Sequence, residues 1–134
     1  MRLEITRRSD LALRALRHLE ATAETVRGAD LAEAVASTAQ YLPQVLNPLV
    51  RTGWVASDPG PGGGYRLAAP LQGRSVLELI ELLEGETDTG VCVLRDGPCS
   101  GAERCSLHDA WVVSRGALVD ILSAVPISAR SIQS

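Results

Sequence analysis

The chain has 134 residues, is 46% hydrophobic and carries a formal net charge of −3. That length suits one domain, or a small domain with an appendage, and the apolar fraction is enough for a core. No run of about 18 apolar residues occurs, which excludes a membrane-spanning helix. The start, MRLEITRRSD, lacks the apolar segment of a secretory signal, so a cytoplasmic protein with no membrane partner is expected.

Charge is unevenly spread. Residues 1–70 hold eight Arg against seven Asp and Glu, whereas residues 71–134 hold five Arg against nine. Every basic residue is Arg, the side chain best suited to bidentate contact with phosphate or guanine. A polyanionic partner therefore belongs to the first half.

The periodicity predicts a first helix through SDLALRALRHLEA, with Leu11, Ala12, Ala15, Leu16 and Leu19 on one face and Thr6 or Ser9 as its cap. GADLAEAVAS reads as a short second helix with Asp30 in its first turn. STAQYLPQVLNPLVRTG reads as a third, its face Leu42, Val45, Leu46 and Leu49 persisting through Pro43 and Pro48, with Gly53 as the stop. WVAS and YRLA read as strands joined by the loop DPGPGGG. SVLELIELLEG is a fourth helix with a capping box of Ser75 and Glu78, ended by Gly85. The last helix is expected over residues 106–125, where Leu107, Trp111, Ser114, Leu118, Ile121 and Val125 form a heptad seam. Such a seam either packs on its own domain or joins two copies of the chain; a homodimer is the expectation.

Three helices followed by a hairpin give the order of a winged helix-turn-helix, in which the third helix enters the major groove of double-stranded DNA. The fold class is thus mainly α with a small β-hairpin wing. Residues 1–70 form the DNA-binding unit, and residues 71–134 hold a helix, a cysteine-rich loop (90–108) and the dimerisation helix. Ser37, Thr38, Gln40, Gln44 and Asn47 are candidates for base or phosphate contact on the third helix, and Arg7, Arg8, Arg51 and Arg66 for phosphate contact.

The three cysteines, Cys92, Cys99 and Cys105, fall in one glycine-studded stretch with His108 three residues beyond the last. Thiolates favour iron–sulfur clusters, zinc or Cu(I). Three Cys and one His complete a tetrahedral zinc set and equally fill the terminal positions of a 2Fe–2S cluster, so spacing alone leaves both open. No third orienting residue stands at a recognisable spacing from a cysteine and His108. GPGGGY lacks the lysine and helix of a phosphate loop, so the chain is not expected to be an enzyme.

ADLAEAVASTAQYLPQVLNPLVRTGWVASDPGPGGGYRLA resembles the winged-helix segment of the Rrf family of bacterial transcription regulators. The likeness lies in DLA of the second helix, YL, VL and L of the third, GWV.S, and GGY.LA closing the wing, and it extends over nearly the whole chain. It implies a homodimer on a partly palindromic operator, and adds Tyr41, Gly63 and Tyr65 to the DNA-binding candidates. One departure is local: the family's wing commonly carries a basic residue before its glycines, where this chain has Pro59 preceded by Asp58.

The resemblance also implies an iron–sulfur cluster. IscR-like members hold one with three loop cysteines and a following histidine, which Cys92, Cys99, Cys105 and His108 match with one extra residue between the first two cysteines. NsrR-like members use an aspartate of the first helix, donated by the other subunit, and Asp10 takes that place. His108 as fourth ligand implies 2Fe–2S, the favoured assignment, and Asp10 implies 4Fe–4S. The alternative is a zinc-bound or metal-free regulator acting through its thiols. In the favoured reading, cluster loss, oxidation or nitrosylation rearranges the loop, shifts the reading helices and changes operator affinity.

Overall fold

The computed structural model describes residues 5–87, 94 and 104–128. Among them are five helices and one two-stranded antiparallel sheet, in the order α1 (Arg7–Thr22), α2 (Gly28–Ala34), α3 (Leu42–Arg51), β1 (Val55–Asp58), β2 (Gly64–Leu67), α4 (Val76–Glu84) and α5 (His108–Ser123). This is the expected mainly helical fold with a hairpin wing.

Helix α1 begins where its sequence supplies a cap: the Thr6 hydroxyl accepts the Ser9 N–H at 3.1 Å. Such a cap stabilises a helix by about 1 kcal/mol. The helix ends on Ala23 in the left-handed region, whose N–H returns to the Leu19 carbonyl. Its apolar face, Leu11, Ala12, Ala15, Leu16 and Leu19, is buried throughout. Helices α2, α3 and α4 and strand β2 all pack on α1.

The third helix is shorter than its sequence pattern suggests. It starts at Leu42 rather than near Ser37, with Pro43 in its first turn. Proline fits there because the N–H it lacks has no intrahelical partner anyway, so Pro43 sets the start of α3 instead of interrupting it. Pro48 lies inside the helix and is buried with Leu42, Val45, Leu46 and Leu49. The ring removes the donor that the Gln44 carbonyl would use, but it fills core space, and Gln44 itself is exposed to water.

The core extends past residue 70: Leu71, Val76, Leu79, Leu83 and Ile127 join the same cluster as the α1–α3 residues and Trp54 and Val55. Ser75 caps α4 by accepting the Glu78 N–H at 3.2 Å. The expected box is completed on one side, since the Glu78 carboxylate lies 3.6 Å from Arg74.

The end of α4 and the segment after α5 are both tied to α1. At the end of α4, Glu84 accepts from the Thr6 hydroxyl at 2.7 Å and from Ser9 at 3.4 Å, and Arg8 donates to the Leu83 carbonyl at 3.3 Å. Beyond α5 the chain turns back into the body. Val76 N–H donates to Val125, Ile127 N–H to Arg74, and Arg17 Nε to Ile127. The Ser128 hydroxyl donates to the Glu20 carboxylate at 2.8 Å, and Ile127 and Ser128 are fully buried.

Leu46 is fully buried in this core. Leu46→Ala is expected to lose about 2–5 kcal/mol in denaturant unfolding, whereas the exposed neighbour substitution Gln44→Ala should stay within about 0.5 kcal/mol of the parent.

Candidate nucleic-acid interface and metal centre

The buried face of α3 leaves Gln44, Asn47 and Arg51 on the opposite side, all exposed. Their spacing of three and four residues sets them in one row. Gln and Asn amides pair bidentately with adenine, and Arg pairs with guanine or phosphate. Because α3 starts at Leu42, the other expected helix contacts sit in the turn before it. The Thr38 hydroxyl accepts the Tyr41 N–H at 3.0 Å, Ser37 donates to the Thr38 carbonyl at 3.3 Å, and Gln40 is exposed. Ser37, Thr38 and Gln40 are thus residues of the α2–α3 turn, a correction forced by where Pro43 fits. Tyr41 is half-buried against the core.

The wing is a four-pair ladder, from Val55 opposite Leu67 to Asp58 opposite Gly64. Arg66 points from it but is met by Asp58 at 3.3 Å, both half-exposed. Near its tip, β2 is fixed to the chain ahead of α2 by two reciprocal bonds between Val26 and Tyr65, each 2.8 Å. Tyr65 is half-buried against the core, and the structure gives its ring a packing role. Gly63 and Gly64 are demanded by steric closeness: a Cβ on Gly63 would lie 2.1 Å from the Asp58 carbonyl oxygen, and one on Gly64, at φ +152°, would lie 2.2 Å from that of Val26. The turn can therefore close only over glycine.

Arg7 and Arg8 stand on the α4 side of α1. Arg8 is engaged by the Leu83 carbonyl. Arg7 lines a groove between α1 and α4 together with Ile5, Asp10, Leu13, Leu79 and Ile80. Neither joins the α3 row.

Of the metal-ligand candidates, Cys92 and Cys99 lie outside the described residues. Cys105 and His108 are both half-buried at the start of α5, where the His108 N–H donates to the Cys105 carbonyl at 3.1 Å. One turn thus holds a thiol and an imidazole three residues apart. Asp10 is half-buried in the groove between α1 and α4, with its carboxylate 3.1 Å from Arg14. No group of three potential ligands converges among the described residues.

On α5 the expected seam divides. Trp111 belongs to a half-buried row with His108, Arg115, Val119 and Leu122, whereas Leu107, Ser114, Leu118, Ile121 and Val125 are exposed. The helix packs on α4 yet buries none of its own residues fully.

A substitution at the wing tests the close approach directly. Gly63→Ala is expected to break the hairpin closure, and the loss would appear as faster amide exchange at Tyr65 and Val26 while α1 stays protected.

The profile of the Rrf2 family, described as an iron-dependent transcriptional regulator, matches residues 5–129. An IscR regulator of Vibrio vulnificus (strain YJ016) is 33% identical over 99 residues, covering 74% of this chain and 58% of that protein. One from Erwinia tasmaniensis is 32% identical over 100 residues, covering 75% and 60%. The chain thus spans roughly three-fifths of the length of the curated relatives it matches. Among solved structures, CymR of Staphylococcus aureus in an oxidized form superposes with a TM-score of 0.70 at 24% identity, over 93% of both chains. T. potens IscR superposes with 0.69 at 21%, over 93% of this chain and 83% of that one. These likenesses establish a shared fold. With the family profile spanning nearly the full chain and a relative above 30% identity, the chain belongs to the Rrf2 family of transcriptional regulators.

Proposed function

We propose that this protein is a homodimeric DNA-binding regulator whose operator affinity is set by an iron–sulfur cluster. The observation that carries the DNA reading is the exposed row Gln44, Asn47 and Arg51 on α3, backed by a buried apolar face and flanked by a glycine-closed wing. In this reading the row meets base edges and phosphates, with Ser37, Thr38 and Gln40 as flanking contacts.

Cys92, Cys99 and Cys105 would supply thiolates and His108 an imidazole, a soft donor set suited to 2Fe–2S. When bound, the cluster supplies reversible sensitivity to redox state, nitric oxide or iron–sulfur supply. The structure favours His108 over Asp10 as fourth donor by local chemistry: His108 already lies in one turn with Cys105, whereas Asp10 is paired with Arg14 and would have to leave it. Glu84, at the end of α4, is tied to Thr6 and Ser9, and α5, which follows the loop, is anchored beyond its far end by Ser128 to Glu20, so both helices beside the loop are linked to α1. A change in the loop then shifts α1 and the helices packed on it, and so the fit to the half-sites.

A second copy is the natural cover for α5, because Leu107, Leu118 and Ile121 are 43%, 44% and 65% exposed and the helix buries none of its own residues fully. Ile121→Asp with Leu118→Asp is expected to halve the mass measured by sedimentation, because two carboxylates at the seam oppose its burial. An unchanged mass would remove α5 as the contact helix.

The cluster is tested by anaerobic purification with visible absorption and iron and sulfide content, on the parent beside His108→Ala and Asp10→Ala. The expected result is a coloured protein whose spectrum changes in His108→Ala and persists in Asp10→Ala. A spectrum altered only by Asp10→Ala would reassign the fourth ligand. A colourless protein with stoichiometric zinc, or without metal, would replace the cluster by thiol chemistry.

A further inference from the structure

We propose that Arg27 is a DNA-phosphate contact that takes over from the wing the cationic role its tip lacks; this rests on the DNA-binding reading above. The tip, Asp58-Pro59-Gly60-Pro61-Gly62-Gly63, holds no basic residue, and Arg66 on β2 is held 3.3 Å from Asp58. The hairpin itself therefore presents a locally compensated charge to a polyanion. Arg27 lies beside the tip end of β2. The reciprocal Val26–Tyr65 bonds place the backbone of Arg27 against Gly64, so closely that a Cβ there would come within 2.9 Å of the Arg27 Cα. Arg27 is exposed and has no ion pair or side-chain hydrogen bond among the described residues.

Its position is also wrong for local stability. Arg27 is the N-cap of α2; its carbonyl accepts the Leu31 N–H at 2.9 Å, but its side chain makes no capping bond. N-caps favour Ser, Thr, Asp or Asn, whose oxygens accept an orphan N–H. A guanidinium offers no acceptor and sets positive charge at the positive end of the helix dipole. Breaks of a local rule concentrate at functional or strained positions. Here the cation is set between the wing and the helix pair that carries α3, where it would meet the backbone flanking the groove that α3 enters.

The test measures binding of the full chain to a short mixed-sequence DNA duplex across roughly 50–200 mM salt, comparing the parent with Arg27→Ser and Arg27→Lys. Serine is a good N-cap, so Arg27→Ser is expected to melt at or above the parent, and loss of binding in it cannot come from unfolding. The slope of log affinity against log salt is expected to flatten by about 0.9 per bound subunit in Arg27→Ser and to be retained in Arg27→Lys. Parent binding with an unchanged slope in Arg27→Ser would overturn the proposal and leave the DNA reading standing. Equal flattening in Arg27→Lys would show that positive charge is not what matters, and would also overturn it. A parent that fails to bind the duplex even at the lowest salt would overturn the DNA reading and this proposal together.

Discussion

The buried stripe of α1 is the constraint on which the other elements depend. Ala12 and Ala15 are fully buried between Leu11, Leu16 and Leu19. Their small side chains let neighbours approach closely, so one helix serves as the seat for α2, α3, α4 and β2 together. With so few aromatic residues in the chain, close packing of Leu, Val and Ala has to supply the cohesion that larger rings supply elsewhere. Displacing α1 would therefore be felt by the reading helix, the wing and α4 together.

In the proposed function, that arrangement gives the cysteine segment its leverage. Its ends do not leave from free helix termini. One leaves from Glu84, held by Thr6 and Ser9; the other enters α5, whose far end is folded back through Ile127 and Ser128 onto Arg17 and Glu20. Both ties land on α1, one near its start and one near its end. Packed interiors transmit such shifts because they deform little before they rearrange. Under the proposed function, this is the route from a loop event to the DNA face, through the helix on which α2, α3, α4 and β2 pack.

The wing illustrates how a hairpin of this size is stabilised. Two strands alone are marginal in water. Here the ladder is extended by the Val26–Tyr65 bridge, and Trp54 and Val55 anchor β1 in the core, with the Arg74 guanidinium 4.2 Å over the Trp54 ring. Arg74 also offers its carbonyl to Ile127, so the wing's root and the segment after α5 share one residue.

Much of this was legible from residue patterns. The apolar faces at helical spacing, the Thr6 and Ser75 caps, the two strands and the glycine-rich tip are local properties, determined by side-chain shape, capping chemistry and backbone sterics within a few residues, and they appear where the pattern puts them. The likeness in the GWV.S and GGY.LA segments likewise sufficed for the family. What the pattern left undecided depends on contacts distant along the chain. Pro43 reads as a helix breaker until the helix is seen to start at Leu42, which moves Ser37, Thr38 and Gln40 into the preceding turn. Arg8 reads as a phosphate contact until Leu83, 75 residues away, is seen to accept from it. Arg27 carries no signal at all in a linear reading, because its place beside the wing exists only through the Val26–Tyr65 bridge. The sequence by itself determined the order of helices and strands, though not where α3 begins, and which residue types are offered for metal and DNA. Tertiary structure alone decided which of those side chains stand free and which are already engaged, because that depends on burial and partners brought from far along the chain.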